Sequence, residues 1–72
     1  MKVTYEKLTD TLYLEFKDTT VTTKRLSDDI AVDYDADGKV AGIEVLGANK
    51  RIAADWQKAF AVEYQEGMLQ AA

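Results

Sequence analysis

The acidic residues between positions 33 and 44 have the type and spacing of a calcium-binding loop. Asp33, Asp35 and Asp37 alternate along the chain, Gly38 follows, and Glu44 comes after five intervening residues. A calcium loop of this pattern supplies carboxylates at alternate positions, a glycine for the sharp turn and a distal glutamate that gives two oxygens. Such a loop lies between two helices, whereas the flanking residues here alternate as strands do. We therefore predict a plain β-hairpin and keep the four acidic residues as a weak metal-site candidate.

The residue types needed for most catalytic sites are missing from the chain. It has no histidine and no cysteine, which excludes imidazole acid–base chemistry, thiol nucleophiles and ordinary zinc or copper sites. Ser27 has no neighbouring base to activate it. Asp28 and Asp29 could form a carboxylate pair, but two acids beside a serine are typical of a surface turn. We predict no catalytic residue and no cofactor, and we expect a protein that is not an enzyme.

Length and charge narrow the class of protein further. A chain of 72 residues with 47% hydrophobic and 31% charged residues predicts a single globular domain over residues 1–72. A net charge of -4 disfavours direct nucleic-acid binding, despite the basic pairs at 24–25 and 50–51. No apolar run approaches the roughly 18 residues of a membrane span. We expect a cytoplasmic protein that binds neither nucleic acid nor membrane.

Alternation of apolar and polar residues predicts most of the secondary structure. It indicates strands at about 2–5, 11–17, 21–26, 30–34 and 39–46. The sequence from Asp35 to Gly38 is the strongest hairpin signal, and Gly42 indicates a bulge or a close backbone approach within a strand. Because all connections between these strands are short, they predict an antiparallel, meander-like sheet.

The spacing of apolar residues changes in the last part of the chain. Apolar residues recur at three- and four-residue spacing from Ile52 onwards, which predicts an amphipathic helix over about 52–65. The predicted fold is therefore α+β, with a small antiparallel sheet of about five strands and one C-terminal helix across one face.

Aromatic residues fall on both faces of this predicted sheet. Tyr13 alternates with Leu12 and Leu14, and so it faces away from them. A core of this size supplies only about 3–5 kcal/mol, which favours a homodimer or a higher homo-oligomer that covers the second face. The interface candidates are Trp56, Phe60, Tyr64 and Tyr13. A tryptophan on a helix stripe is more often a core residue, so the core alternative stays open for Trp56.

Two segments resemble a known family. They are the opening MKVTYEKLTDTLYLEF and the central DDIAVDYDADGKVAGIEVLGANKRI, and together they resemble the domain of unknown function 2283 family over about residues 1–52. Members of that family look like cytoplasmic β-sheet proteins of bacteria and archaea without an established activity. Some appear beside small toxin-like proteins, and the resemblance therefore implies an antitoxin hypothesis.

Three functions remain open at this stage. The first is a non-catalytic, oligomeric protein-binding or assembly module. The second is an antitoxin-like neutraliser of a basic partner protein, to which the net negative charge is suited. The third is a small-molecule-binding domain or carboxylate-based enzyme with a groove between sheet and helix.

Overall fold

The chain forms one mixed sheet with short helical turns on one side. The computed structural model describes residues 1–60 and 62–65, the last four as backbone alone. Its elements, in chain order, are the strands β1 (Lys2–Glu6), β2 (Thr11–Glu15), β3 (Thr22–Arg25), β4 (Ile30–Tyr34) and β5 (Val40–Leu46), the helix α1 (Ala48–Arg51), a 3₁₀ helix (Trp56–Ala59) and the strand β6 (Val62–Gln65). None of the described helices is long and apolar enough to cross a membrane.

The first five strands form the antiparallel sheet that the alternation predicts. The strand order across the described sheet is β3-β4-β5-β2-β1-β6. β1 and β2 form one hairpin and β3 to β5 form a meander, and the antiparallel pairing of β2 with β5 joins the two units. The order therefore differs from a simple meander, because β2 pairs with β5 instead of β3. This pairing aligns Leu12 with Val45 and Leu14 with Ile43, so that both strands place their apolar residues on the same face.

Alternation along the paired strands gives the sheet two different faces. The apolar face carries Val3 and Tyr5 of β1, Leu12 and Leu14 of β2, Ile43 and Val45 of β5, and Ile30, Val32 and Tyr34 of β4. The polar face carries mainly hydroxyl and charged side chains, including Tyr13, Asp33 and Glu44. The described residues that follow β5 cover part of the apolar face.

The predicted α+β class is confirmed, with a short helix after the five strands, but the predicted bounds of that helix, about 52–65, are wrong. The structure has the four-residue helix α1, the 3₁₀ helix and the strand β6 in this region. Asp55 adopts a left-handed conformation with φ of 68°, which an α-helix does not accommodate. β6 pairs in parallel with β1 and therefore also runs parallel to β5. The chain between β5 and β6 must then cross one face of the sheet, and we call residues 47–60 the crossover.

The core lies under this crossover. Val3, Tyr5 and Leu12 of the sheet are buried together with Ala48 and Trp56, and the partly buried side chains of Leu14, Val45, Ile52 and Phe60 pack against them. The Trp56 ring meets the Tyr5 ring edge-on, with centroids 5.2 Å apart. This cluster therefore lies mainly over the β1–β2 half of the apolar face, although Val32 of β4 is buried as well.

Candidate functional site

The acidic motif at 33–44 is a β-hairpin. Asp35 lies in the turn, where its Oδ1 accepts the backbone N–H groups of Asp37 and Lys39, both at 2.9 Å. The backbone N–H of Gly38 donates to the Asp35 carbonyl at 3.0 Å, and Gly38 takes the positive φ of 79° that the turn requires. The Asp35 carboxylate is thus occupied in closing the turn.

Asp37 lies in the same turn, whereas the other two acidic residues of the motif lie on paired strands. Asp33 of β4 lies opposite Gly42, and Glu44 of β5 lies opposite Ala31. Glu44 accepts from Arg25 at 3.4 Å across the polar face. Within the described residues, no three acidic side chains are close enough together to hold a metal ion. The structure therefore does not assemble the predicted candidate set Asp33, Asp35, Asp37 and Glu44 into one site.

Tyr13 and Asp33 are joined across the backbone of Gly42. The Tyr13 hydroxyl donates to Asp33 Oδ2 at 2.6 Å, and the Thr23 hydroxyl donates to Asp33 Oδ1 at 2.5 Å. A Cβ at position 42 would lie 2.2 Å from the Tyr13 hydroxyl oxygen. The absence of a side chain at Gly42 therefore lets the Tyr13 ring cross β5. The close approach predicted at Gly42 is confirmed, and a register shift beside Tyr34 shows a bulge as well.

The surroundings of Tyr13 favour its neutral phenol. Burial, the hydrogen bond to Asp33 and the negative charges of Asp33, Glu15 and Glu44 raise the pKa of Tyr13 to about 12. A phenol with this pKa stays protonated and donates its hydrogen bond at neutral pH. Because the phenol has its own intramolecular acceptor, the Tyr13 side chain needs no second protein copy to satisfy its polar atom. The predicted role of Tyr13 as an interface residue gains no support from this geometry.

A second polar network fastens the crossover to the sheet. Asn49 donates through its side-chain amide to the Tyr5 hydroxyl at 2.9 Å and to Asp10 at 3.0 Å, and its carbonyl oxygen accepts the Trp56 indole N–H at 3.0 Å. The Tyr5 hydroxyl in turn donates to Asp10 at 2.5 Å. We call Tyr5, Asp10, Asn49 and Trp56 the clasp. Sequence reasoning missed it, because Asp10 and Asn49 lie 39 positions apart and neither carries a local signal.

The other predicted interface residues belong to the crossover. Trp56 is buried within its own subunit, so its side chain is a core residue instead of an exposed anchor. Phe60 is partly buried against the same core. The side chain of Tyr64 lies outside the described residues.

A groove of about 340 Å³ runs beside Trp56, and its single acidic residue is Asp55, whose side chain is 74% exposed. The groove therefore does not gather the converging carboxylates that an enzyme of this kind would need.

Ser27, Asp28 and Asp29 form the turn between β3 and β4. The Ser27 hydroxyl oxygen accepts the backbone N–H groups of Asp29 and Ile30 at 3.2 and 3.1 Å. Asp29 forms an ion pair with Arg51 at 2.8 Å, which ties this turn to the end of α1. These contacts confirm the predicted turn.

The β4–β5 half of the apolar face forms the strongest candidate surface. Phe16, Leu26, Ile30 and Val40 are 49%, 57%, 38% and 44% exposed, and we call these four residues the open patch. Ile30 lies in the row of Val45 and Leu12, and Val40 pairs with Tyr34. Strand alternation places Phe16 and Leu26 on the same face. No other part of the described chain packs over them, whereas Trp56 covers the β1–β2 half.

The fold and its surfaces define a small, mostly antiparallel β protein with one half-open apolar face. The chain belongs to the DUF2283 family, which is described as a protein of unknown function, and it matches that family over residues 2–49. The matched residues contain all five antiparallel strands together with Asp10 and Asn49 of the clasp, and they end before Trp56. Searches of curated proteins and of solved structures found no match.

Proposed function

We propose that the protein is a non-catalytic assembly module that pairs with a second copy through the open patch. The observation that carries the proposal is the concentration of exposed apolar side chains on one half of one sheet face. Four of the six large hydrophobic residues that the described chain exposes belong to this patch. They lie towards the two ends of β4, with Leu26 beside Ile30 at one end and Phe16 and Val40 at the other, and exposed apolar side chains on one face mark interaction sites on small soluble proteins.

A second copy is the occupant that fits this surface best. Two sheets pack face to face through apolar side chains about 10 Å apart, as in a β-sandwich. In a two-fold dimer each copy presents the same patch, and the patch is therefore complementary to itself in hydrophobicity. Self-association also adds a second core to a chain whose own core lies mainly over one half of the apolar face. A domain of this length buries only a small core, and a second copy would increase the apolar area that is buried.

Light scattering coupled to size-exclusion chromatography tests this proposal with a matched pair of variants. Phe16→Ser combined with Ile30→Ser places two hydroxyls in the patch, and we expect it to convert a concentration-dependent dimer into a monomer. Leu8→Ser is the control, because Leu8 is 66% exposed in the turn between β1 and β2, away from the patch. It should leave the dimer intact. A wild-type monomer at about 100 µM, well above the Kd of a stable complex, would contradict the proposal.

A basic partner protein is the second candidate for the same patch. Acidic turns flank β4 at both ends, with Asp28 and Asp29 on one side and Asp35 and Asp37 on the other. An apolar surface with acidic ends suits a partner that carries an apolar strip between basic residues. An antitoxin-like role follows if such a partner is toxic. Co-expression with a candidate toxin should then restore growth, and the Phe16→Ser, Ile30→Ser variant should lose this rescue while Leu8→Ser keeps it.

A further inference from the structure

Among the residues that the structure describes, one edge of the sheet directs backbone hydrogen-bonding groups outward. β3 is the terminal strand on its side, and all four of its residues are exposed. The Leu26 N–H donates to the Ile30 carbonyl at 2.8 Å. Because backbone direction alternates along a strand, Lys24 and Thr22 point their N–H and C=O groups towards β4 as well. The corresponding groups of Thr23 and Arg25 therefore point outward, away from every described strand.

The side chains of this edge carry positive charge on both faces of the sheet. Lys24 pairs with Val32 on the apolar face, and Arg25 pairs with Ala31 on the polar face. Leu26 and Ile30 are exposed beside Lys24 on the apolar face. A strand added outside β3 would place alternate side chains next to these two environments. One environment is cationic and apolar. The other carries Arg25, which is 49% exposed and pairs with Glu44 at 3.4 Å, beside Thr23, which bonds to Asp33.

The positive charge of β3 favours some added strands over others. Two copies joined through β3 would bring both Lys24 residues and both Arg25 residues to two adjacent four-residue strands. Cationic side chains on an edge strand oppose such self-pairing, and like charges directly opposite each other are destabilising. The same two charges attract a strand that carries carboxylates at the facing positions. A charged edge of this kind therefore rejects its own copy and selects an acidic segment.

We propose that the outer edge of β3 binds an extended acidic segment of another protein, which joins the sheet as an additional strand. The outward N–H and C=O groups of Thr23 and Arg25 hold its backbone. Lys24 and Arg25 attract its carboxylates, and Leu26 contacts its apolar side chains. This mode of recognition takes its affinity from main-chain hydrogen bonds and its specificity from alternate side chains. The β3 edge adjoins the open patch, and the two surfaces share Leu26.

Fluorescence anisotropy with a labelled peptide of alternating glutamate and valine tests the proposal. Thr23→Pro removes an N–H that points away from β4, which an edge strand tolerates. Thr23→Ala is the matched control, because both variants lose the hydroxyl bond to Asp33 while only proline loses the backbone donor. We expect Thr23→Pro to weaken binding by about tenfold or more, and Thr23→Ala to weaken it by about twofold at most. Far-UV circular dichroism verifies that both variants keep the sheet.

A second, independent experiment reverses the charge of Lys24 and does not change the backbone. Lys24→Glu should weaken binding of the acidic peptide and create binding of a peptide of alternating lysine and valine. Binding of the acidic peptide to wild-type protein should fall as salt rises. The proposal is wrong if the acidic peptide does not bind at about 1 mM, the weak limit of specific recognition. It is equally wrong if Thr23→Pro and Thr23→Ala bind alike, or if Thr23→Pro abolishes self-association, which would identify a second copy as the occupant.

Discussion

Replacing Gly42 by alanine is a direct test of how the polar face is built. An added Cβ would lie 2.2 Å from the Tyr13 hydroxyl oxygen, 2.7 Å from Tyr13 Cζ and 3.1 Å from the Leu14 carbonyl oxygen. The first two distances are far below any normal contact, and so the Tyr13 ring must move. Its movement breaks the 2.6 Å hydrogen bond to Asp33, which leaves Thr23 as the remaining side-chain donor to that carboxylate.

The expected loss of stability follows from three contributions. Overpacking in a closely packed position costs about 1–3 kcal/mol, and a lost hydrogen bond to a charged group costs about 1.5–3 kcal/mol. The two overlap, because one movement of the ring causes both. Replacing glycine also restricts the unfolded chain, which returns about 0.4–1 kcal/mol. We expect a net loss of about 2 kcal/mol in the free energy of unfolding, a large part of the roughly 3–5 kcal/mol available to such a domain.

Urea denaturation followed by the fluorescence of Trp56, the single tryptophan of the chain, measures this loss. With a slope of about 1 kcal/mol per molar urea for a small domain, the midpoint should fall by about 2 M. Gly38→Ala is the control. A Cβ there meets nothing within 4 Å, and only the positive φ of 79° is strained, which costs about 1–2 kcal/mol. In a Tyr13→Ala background the cost of Gly42→Ala should shrink to less than about 1 kcal/mol. An equal cost in both backgrounds would refute the role given to Gly42.

Two further predictions concern the clasp and the phenol. Asn49→Ala removes the acceptor of the Trp56 indole N–H and a donor to Tyr5 and Asp10. It should therefore lower the free energy of unfolding by about 2 kcal/mol and shift the Trp56 fluorescence emission to longer wavelength. Lys50→Ala, at an exposed neighbouring position, should do neither, and an unchanged emission of Asn49→Ala would count against the clasp. The pKa of Tyr13 is raised from 10.0 to about 12. The neutral phenol therefore contributes stability that is fully present below pH 10 and is lost between pH 10 and 12. Wild-type stability should fall more steeply over this window than that of Tyr13→Phe, and parallel curves would contradict the assigned hydrogen bond.

The parts of the fold that local chemistry determines were predictable from the sequence. The Asp35–Gly38 turn depends on one carboxylate that accepts two nearby N–H groups and on one glycine with positive φ. Both signals lie within five consecutive residues. The strands were predictable for the same reason, because alternation records which face of each strand is buried. The pairing of β2 with β5 was not predictable, because it depends on contacts between residues about 30 positions apart.

The predicted bounds of the helix were wrong because the spacing of the apolar residues is ambiguous. Ile52, Trp56, Phe60 and Tyr64 recur at every fourth position, which suits one face of a helix. A spacing of four is also a multiple of two, so the same pattern suits one face of a strand. Val62, Glu63 and Tyr64 alternate in type, as the strand β6 requires. The left-handed backbone of Asp55 then separates the helix α1 from the 3₁₀ helix. The spacing of apolar residues does not indicate the backbone angle of one residue, so this interruption was not predictable.

The distribution of satisfied polar groups over the two sheet faces favours one face for the proposed partner. Aromatic residues on both faces led to the prediction that Tyr13 marks a face in need of cover. In the structure, the Tyr13 hydroxyl and Thr23 bond to Asp33, and Arg25 bonds to Glu44, so the polar side chains of that face satisfy one another. The polar atoms that remain can form hydrogen bonds with water, so leaving this face exposed costs little free energy. The opposite face has no such compensation, because the Trp56 crossover covers one half and leaves the open patch in solvent. A partner that removes this patch from water gains free energy in proportion to the apolar area buried, and we therefore place the principal contact on the face opposite Tyr13.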